Sequence, residues 1–545
     1  MRKTTKIVSL CSACLMTVSA FGLTACGPKD DPSTLEIFIG DFGYGTAWLD
    51  AVIEDFKEEA WVKEKYPNLN IPQPQKNSTR SYPSDQITSG NTTIDLFFAG
   101  GSMNYYYDKV GADGNRYYEE LTELVNRTVE GESVTILQKM DKHFRDSYNV
   151  TVGGKKGYYA MPWAQGPWGI FYNKAVMIEK LGADYEMPTT TEGLLQLCED
   201  LKAGENAKIP FVFCSTEDYQ SFLVALWWTQ YEGVENYKRY WLGVDENDFL
   251  NTEEFTPARQ KGKLRALEAM EALIGKDSGN THPYVNTLNF TEAQTELLLG
   301  NGVMQVNGDW LQTEMSAVAS KEQLSQISMM ATPVVSAIVE KLSFYDSDKE
   351  YNELTASEKA EYDAILKQII AEVDSGATSS SVANVTATDF EIVKEARKIV
   401  NIIGGHDAVI PSYSNAKEIA KDFLAYMVQD KNLNTYIKVT NGCEMPYEYD
   451  VREKDVALYE SLPEMHKTKM EILKDGIVKP SADAYVLKYR GMLQAYTTWT
   501  NISFCFTAPN ATDYHSAKEI YEKDIEYYSK NNAHNWKQVL ERVGY

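Results

Sequence analysis

Short apolar runs alternate along this chain with stretches whose apolar residues recur every three or four positions. TLEIFIG (34–40) sets Leu35, Ile37 and Ile39 at every second position, which predicts a strand. Leu49, Val52, Ile53 and Phe56 then mark one face of a helix, stopped by Tyr66-Pro67, with a second strand expected near 68–71. IDLFFAGG (94–101) reads as a buried strand ended by two glycines. MPWAQGPWGIFYNK (161–174) begins with Gly/Pro punctuation, which predicts a loop, and runs through an apolar strand into a helix closing at Gly182.

Further on, TTTE from Thr189 and TEAQ from Thr291 are expected capping boxes for two helices. GVMQVNGDW (302–310) predicts a strand, a tight turn and a new helix. DAVIP (407–411) is a strand, and Ser414 is expected to cap the helix bearing Ile419, Ala420, Phe423, Leu424 and Met427. This alternation predicts an α/β fold with helices on both faces of its sheets. One segment departs from it. Apolar stripes over 355–373 and 388–400 predict an inserted helical hairpin.

The N-terminus sets the compartment. Arg2, Lys3 and Lys6 precede an apolar stretch, Ile7 to Leu23, ending in Leu23-Thr24-Ala25-Cys26. That pattern is a secretion signal over residues 1–25, and a cysteine directly after the cleavage site resembles a bacterial lipoprotein signal with Cys26 lipidated. Residues 26–33 read as a tether, which places the protein outside the cytoplasm, held to the membrane by lipid on Cys26. A Gram-positive-type cell surface fits better than a periplasm. The remaining chain of about 520 residues is long enough for two or three domains.

Charge narrows the partners. The net charge of the 545 residues is −25, and −28 once Arg2, Lys3 and Lys6 are removed. Such a surface repels nucleic acid and anionic substrates, so neither is expected. Aromatic residues make up 12%, with 35 Tyr and 10 Trp, enough to furnish flat apolar binding surfaces. Cys198, Cys214, Cys443 and Cys505 form no C-x-x-C pair, and the six histidines show no metal-ligand spacing, so no cofactor or metal is expected. No G-x-S-x-G elbow or G-x-x-x-x-G-K-[ST] loop occurs, and no carboxylate pair stands out, so no catalytic residue is assigned.

Five stretches in order resemble the extracellular solute-binding proteins of carbohydrate ABC transporters, the family of maltose-binding protein. They are TLEIFIGDFGYG, IDLFFAGG, GKKGYYAMPWAQGPWGIFYNKAVMIEKLG, GNGVMQVNGDWLQTEM and GGHDAVIPSYSNAKEIAKDFLAYMVQD. The 355–400 hairpin, the aromatic region 446–545 and residues 70–86 depart from it. The resemblance implies two α/β lobes joined by crossing strands, with a cleft that closes on a sugar. It divides the chain into an N-terminal lobe of 34–158 and 333–442, carrying the hairpin, and a C-terminal lobe of 159–332 and 443–545. The implied partners are an oligosaccharide and a permease with its ATPase, the binding protein itself being a monomer.

A neutral polyol needs flat rings for its C–H faces and carboxylates or amides for its hydroxyls. The loops expected at the strand ends supply Tyr44, Trp163, Trp168 and Trp310 as rings and Asp41, Gln165, Asp309 and Asp407 as polar partners. Gly101, Ser102, Asn104, His406 and Trp499 complete the expected lining, with Tyr496 beside it. The alternative for Trp163 and Trp168 is a place in the core, and for Asp309 a helix cap. Two other functions fit the same composition: a secreted glycoside hydrolase, or a binder of peptide or another small polar solute on the same fold.

Overall fold

The computed structural model describes residues 31–41, 43–77, 83–100, 110–111, 114–152, 155–242, 256–403, 406–479 and 501–531. In chain order the strands are β1 (Ile37–Gly40), β2 (Gln75–Asn77), β3 (Leu96–Phe98), β4 (Val150–Val152), β5 (Lys155–Gly157), β6 (Met161–Pro162), β7 (Gly166–Asn173), β8 (Met304–Gly308), β9 (Ile327–Met330), β10 (Ile399–Ile403), β11 (Asp407–Val409) and β12 (Ile477–Val478).

Ten of them build two open mixed sheets, and β4 and β5 pair apart from these as a two-stranded antiparallel sheet. The first runs β2-β1-β3-β11-β6; the second runs β12-β10-β7-β8, with β9 also on β7. β1, β2 and β3 are parallel, whereas β11 is antiparallel to both β3 and β6. Each of the two five-stranded sheets has its own apolar core. Ile37, Ile39, Trp48, Leu49, Val52 and Phe56 pack in the first, so the stripe read from the sequence is the buried face of helix Ala47–Glu58. Trp227, Trp228, Leu267 and Met270, from helices Gln220–Glu232 and Lys261–Ile274, pack in the second. The molecule is therefore a two-lobed α/β protein.

Several local expectations shift. The strand expected at 68–71 reduces to a bridge between Asn70 and Thr34, and the pairing on β1 is made by Gln75–Asn77. Helix Phe290–Leu299 starts before Thr291, because Asn289 and Glu292 form the same reciprocal box two residues earlier. Thr190, not Thr189, caps helix Thr191–Lys202. Ala416 occupies the cap of helix Lys417–Met427, while the Ser414 hydroxyl donates to Asp95 at 2.6 Å.

The hairpin forms as helices Ala356–Asp374 and Ala387–Lys398, each opened by a capping box, Thr355/Glu358 and Thr386/Asp389. Its placement differs from the expectation. Leu366, Ile369, Ile370, Val373, Phe390 and Val393 pack in the core of the second lobe, and β10, which follows directly, pairs with β7 there. Apolar burial against the Gln220–Glu232 helix outweighs nearness in sequence to 407–442.

Three segments join the lobes side by side. Residues 162–166 run from β6 to β7, and the chain passes from β10, ending at Ile403, to β11, beginning at Asp407. The third, near 443–447, follows helix Asp430–Val439. The Trp163 N–H donates to the His406 carbonyl at 3.0 Å, and the Gln165 N–H to the Glu444 carbonyl at 3.2 Å. Tyr447 fastens the ribbon further, its hydroxyl donating to the Pro162 carbonyl at 3.0 Å. The stretch expected to be a loop supplies the central segment of this hinge, its residues 163–165 linking β6 to β7.

Candidate functional site

Two glycines determine what gathers at the hinge. A Cβ on Gly166 would lie 2.2 Å from the Tyr44 hydroxyl oxygen and 2.6 Å from Asp309 Oδ1. A Cβ on Gly308 would lie 2.1 Å from the Trp310 ring. Gly308 pairs with Trp168 across β7 and β8, so the indole of Trp310 lies over the space Gly308 leaves and meets Trp168 edge-on at 4.6 Å. Trp168 stacks on Phe222 at 4.0 Å and meets Tyr219 edge-on at 4.5 Å. From the first lobe, Tyr44 reaches Trp310 at 6.1 Å, again edge-on.

A continuous row of rings thus crosses between the lobes: Tyr44 from the first, Trp310, Trp168, Phe222 and Tyr219 from the second. Trp310 and Trp168 are only 7% and 5% exposed, whereas Tyr219 and Phe222 keep partly open faces. The Trp168 Nε1–H has no partner among the described residues. An unpartnered buried donor beside open aromatic faces offers a hydroxyl-rich molecule both contacts it needs.

The expected residues distribute unevenly around this row. Trp163 is wholly buried: it stacks on Trp48 at 5.5 Å, and its Nε1–H donates to the Ala99 carbonyl at 2.9 Å. It fills the first core, a correction to its expected place as a cleft platform, because the hinge segment turns it inward against helix Ala47–Glu58. His406 lies edge-on to Tyr44 and Trp163, both at 5.2 Å, and burial holds it down at about 4, so the ring is neutral near pH 7. Asp407 is 1% exposed and accepts from the Tyr148 hydroxyl at 2.5 Å, which makes it a core acceptor within a central strand. Asp41 is exposed just past β1. Gly101, Ser102, Asn104, Tyr496, Trp499 and Cys26 lie outside the described residues.

Asp309 is fully buried and neither caps a helix nor faces water. Lys469 Nζ lies 3.1 Å from its Oδ2, 3.1 Å from Glu444 Oε2 and 2.8 Å from the Gly442 carbonyl. Burial pushes the Asp309 carboxyl up to about 6 against the pull of Lys469, leaving it ionised near pH 7. Burial works against the Lys469 charge, but Glu444 and Asp309 outweigh it and raise the ammonium above its ordinary value. This triad binds the third crossing segment to the second lobe.

Gln165 joins a different space. Its Nε2 donates to the Met445 carbonyl at 3.3 Å, and it lines a cavity of about 1190 Å³ with Asp141, His143, Glu444 and Tyr447. Successive residues of a strand face opposite ways, so this cavity lies across the ribbon from the rings at Gly166. Burial, with Glu444 nearby, pushes Asp141 up to about 7, and burial pulls His143 down to about 4.

Tyr219 and Phe222 were missed in the sequence, although their i, i+3 spacing at the start of an apolar helix was visible. Lys469 and Glu444 carried no local signal, since their partners are distant in sequence.

No curated protein matches this sequence. Several solved structures share the fold. The GacH receptor of Streptomyces glaucescens, solved unliganded and with acarbose, is 14% identical with a TM-score of 0.54, covering 91% of this chain and 97% of its own. A chitin oligosaccharide binding protein is 13% identical with a TM-score of 0.56, covering 92% and 99%. Maltose-bound MalE3 of T. maritima is 15% identical with a TM-score of 0.54, covering 93% and 100%. The family model for bacterial extracellular solute-binding proteins matches residues 69–466, well over half of the chain. With two open-sheet lobes and a three-segment hinge between them, this chain belongs to the bacterial extracellular solute-binding proteins.

Proposed function

We propose that this protein captures an oligosaccharide between its lobes and delivers it to an ABC permease, held at the cell surface by lipid on Cys26. The row of rings crossing the lobes carries the reading, because its members come from both halves and meet where the hinge would part them. Solved proteins of the same fold bind acarbose, chitin oligosaccharides and maltose, which supports a sugar as the ligand class. The net charge of −25 favours a neutral ligand over an anion.

Withdrawal of Tyr44 on opening exposes Trp310 and Trp168 beside Phe222 and Tyr219. A sugar ring entering there exchanges ring–ring contact for ring–sugar contact, and one of its oxygens accepts from the Trp168 Nε1–H. Contacts to both lobes then favour the closed form, since only a difference in affinity between open and closed states moves the hinge. A micromolar complex corresponds to about −8 kcal/mol.

The test is a panel of neutral oligosaccharides titrated against the protein and followed by tryptophan fluorescence and calorimetry. Phe222→Ala and Trp310→Ala each remove a ring worth about 1.5–3 kcal/mol, a roughly ten- to hundred-fold weaker Kd. Trp163→Phe, in the core, leaves Kd unchanged. Equal effects at Trp163 and Phe222, or shortened products from the added sugars, would overturn the proposal.

A further inference from the structure

Three buried side chains from distant parts of the chain converge beneath the hinge. A carboxylate oxygen of Asp309, the Sγ of Cys443 and a ring nitrogen of His466 all lie within 4.8 Å of one another. All three residues are fully buried, and Cys443 is a free thiol. Neither ring nitrogen of His466 has a hydrogen-bond partner among the described residues. A buried imidazole left so is costly, by about 1–3 kcal/mol per unsatisfied group, and calls for something to engage it.

The backbone is shaped around that ring. Gly442 has φ +125°, and a Cβ there would lie 2.4 Å from the His466 ring, so only glycine lets the chain pass against the imidazole and present Cys443 beside it. Charge is complementary as well. Asp309 and Glu444 against the single ammonium of Lys469 leave one negative charge. A Cys443 thiolate makes two, which one divalent cation neutralises.

The donors select the kind of ion. Sulfur, imidazole nitrogen and carboxylate oxygen together suit zinc and its transition-metal neighbours, whereas calcium and magnesium take oxygen cages. Zinc bonds of about 2.0–2.3 Å place tetrahedral ligand atoms roughly 3.3–3.8 Å apart, a contraction that small rotations of Cys443 and His466 supply. Thr313 Oγ1, 4.0 Å from Cys443 Sγ, or a water completes the fourth position.

We propose that Asp309, Cys443 and His466 form a structural site for one divalent cation of the zinc class, pinning the third crossing segment to the second lobe. Binding releases the Cys443 proton to solvent and forms the metal–sulfur bond. None of the usual sequence spacings announces the site, because its ligands stand at 309, 443 and 466. It does not depend on the sugar reading, and its test involves no sugar.

The experiment uses the full mature chain, stripped with a chelator and titrated with Co²⁺. The expected result is one ion per chain, a near-ultraviolet thiolate-to-cobalt charge-transfer band, and displacement of that band by Zn²⁺. Cys443→Ser abolishes the band, His466→Gln weakens uptake at least tenfold, and Cys198→Ser, elsewhere in the second core, leaves both unchanged. Should Cys443→Ser fail to fold, the wild-type thiol is mapped by mass spectrometry after alkylation in mild urea, where Zn²⁺ is expected to protect Cys443. No retained ion at equimolar metal, a band surviving in Cys443→Ser, or absence of protection overturns the proposal.

Discussion

Lys469→Met gives a direct test of how the hinge is secured. The change keeps the length of an apolar stem and removes the ammonium that lies 3.1 Å from both Asp309 and Glu444. At an effective dielectric of about 20, each contact at that distance is worth about 5 kcal/mol before desolvation. Breaking such a pair from one side costs about 3–5 kcal/mol, because the other charge stays buried. Asp309 is the charge left behind, since Glu444 keeps some exposure to water while Asp309 has none. Adding Asp309→Asn should therefore restore at least half of the loss. The assay is urea denaturation of metal-free protein followed by tryptophan fluorescence, fitted with separate transitions where the lobes unfold separately. A loss below about 1 kcal/mol for Lys469→Met, or a double variant no better than the single one, refutes the reasoning.

Asp141→Asn has a signed pH dependence. Its native value of about 7 lies above the unfolded value of about 3.9, so its contribution is fully present below pH 4 and is lost as the pH rises to about 7. The Asn variant should match wild type near pH 4 and exceed it by about 1–3 kcal/mol at pH 8, discounted for partial exposure; paired melts whose gap does not grow with pH contradict this. Gly166→Ala should cost about 1–3 kcal/mol from the crowding of its new methyl on Tyr44 and Asp309, with part recovered by adding Tyr44→Phe; an unchanged urea midpoint would show that the rings give way freely.

Much of the architecture was legible because it follows from periodicity. The alternating run of TLEIFIG, the stripe through Leu49 and Phe56, and the two stripes of the 355–400 hairpin all became the elements they predicted. What periodicity does not encode is which core an amphipathic face will enter, so the hairpin's place on the second lobe emerged only from its packing with Trp227 and Leu267. Trp163 was misread for a related reason. Gly and Pro punctuate loops, and 163–164 do lie between β6 and β7, but this link runs against the His406 and Glu444 backbones and turns Trp163 inward. Trp310 and Trp168 do meet, yet their companions Tyr219 and Phe222 sit on a helix some fifty residues from Trp168, a juxtaposition that no local pattern predicts. Asp309 looked like a polar residue for a ligand and proved to be half of a buried ion pair whose other half is 160 residues away.

The position of β11 between β3 and β6 has a consequence for how the molecule is made. Until residue 409 has been synthesised, the first sheet lacks an interior strand and cannot zip up, even though its earlier strands have long since been made. The second sheet waits in the same way for β10 to settle against β7. Neither half can therefore mature ahead of the other during synthesis of the chain. Pairing across such sequence distances is slow, so the nascent polypeptide must remain pliable through most of its synthesis. Fragments ending short of residue 407 are expected to be degraded rather than to accumulate as a working half.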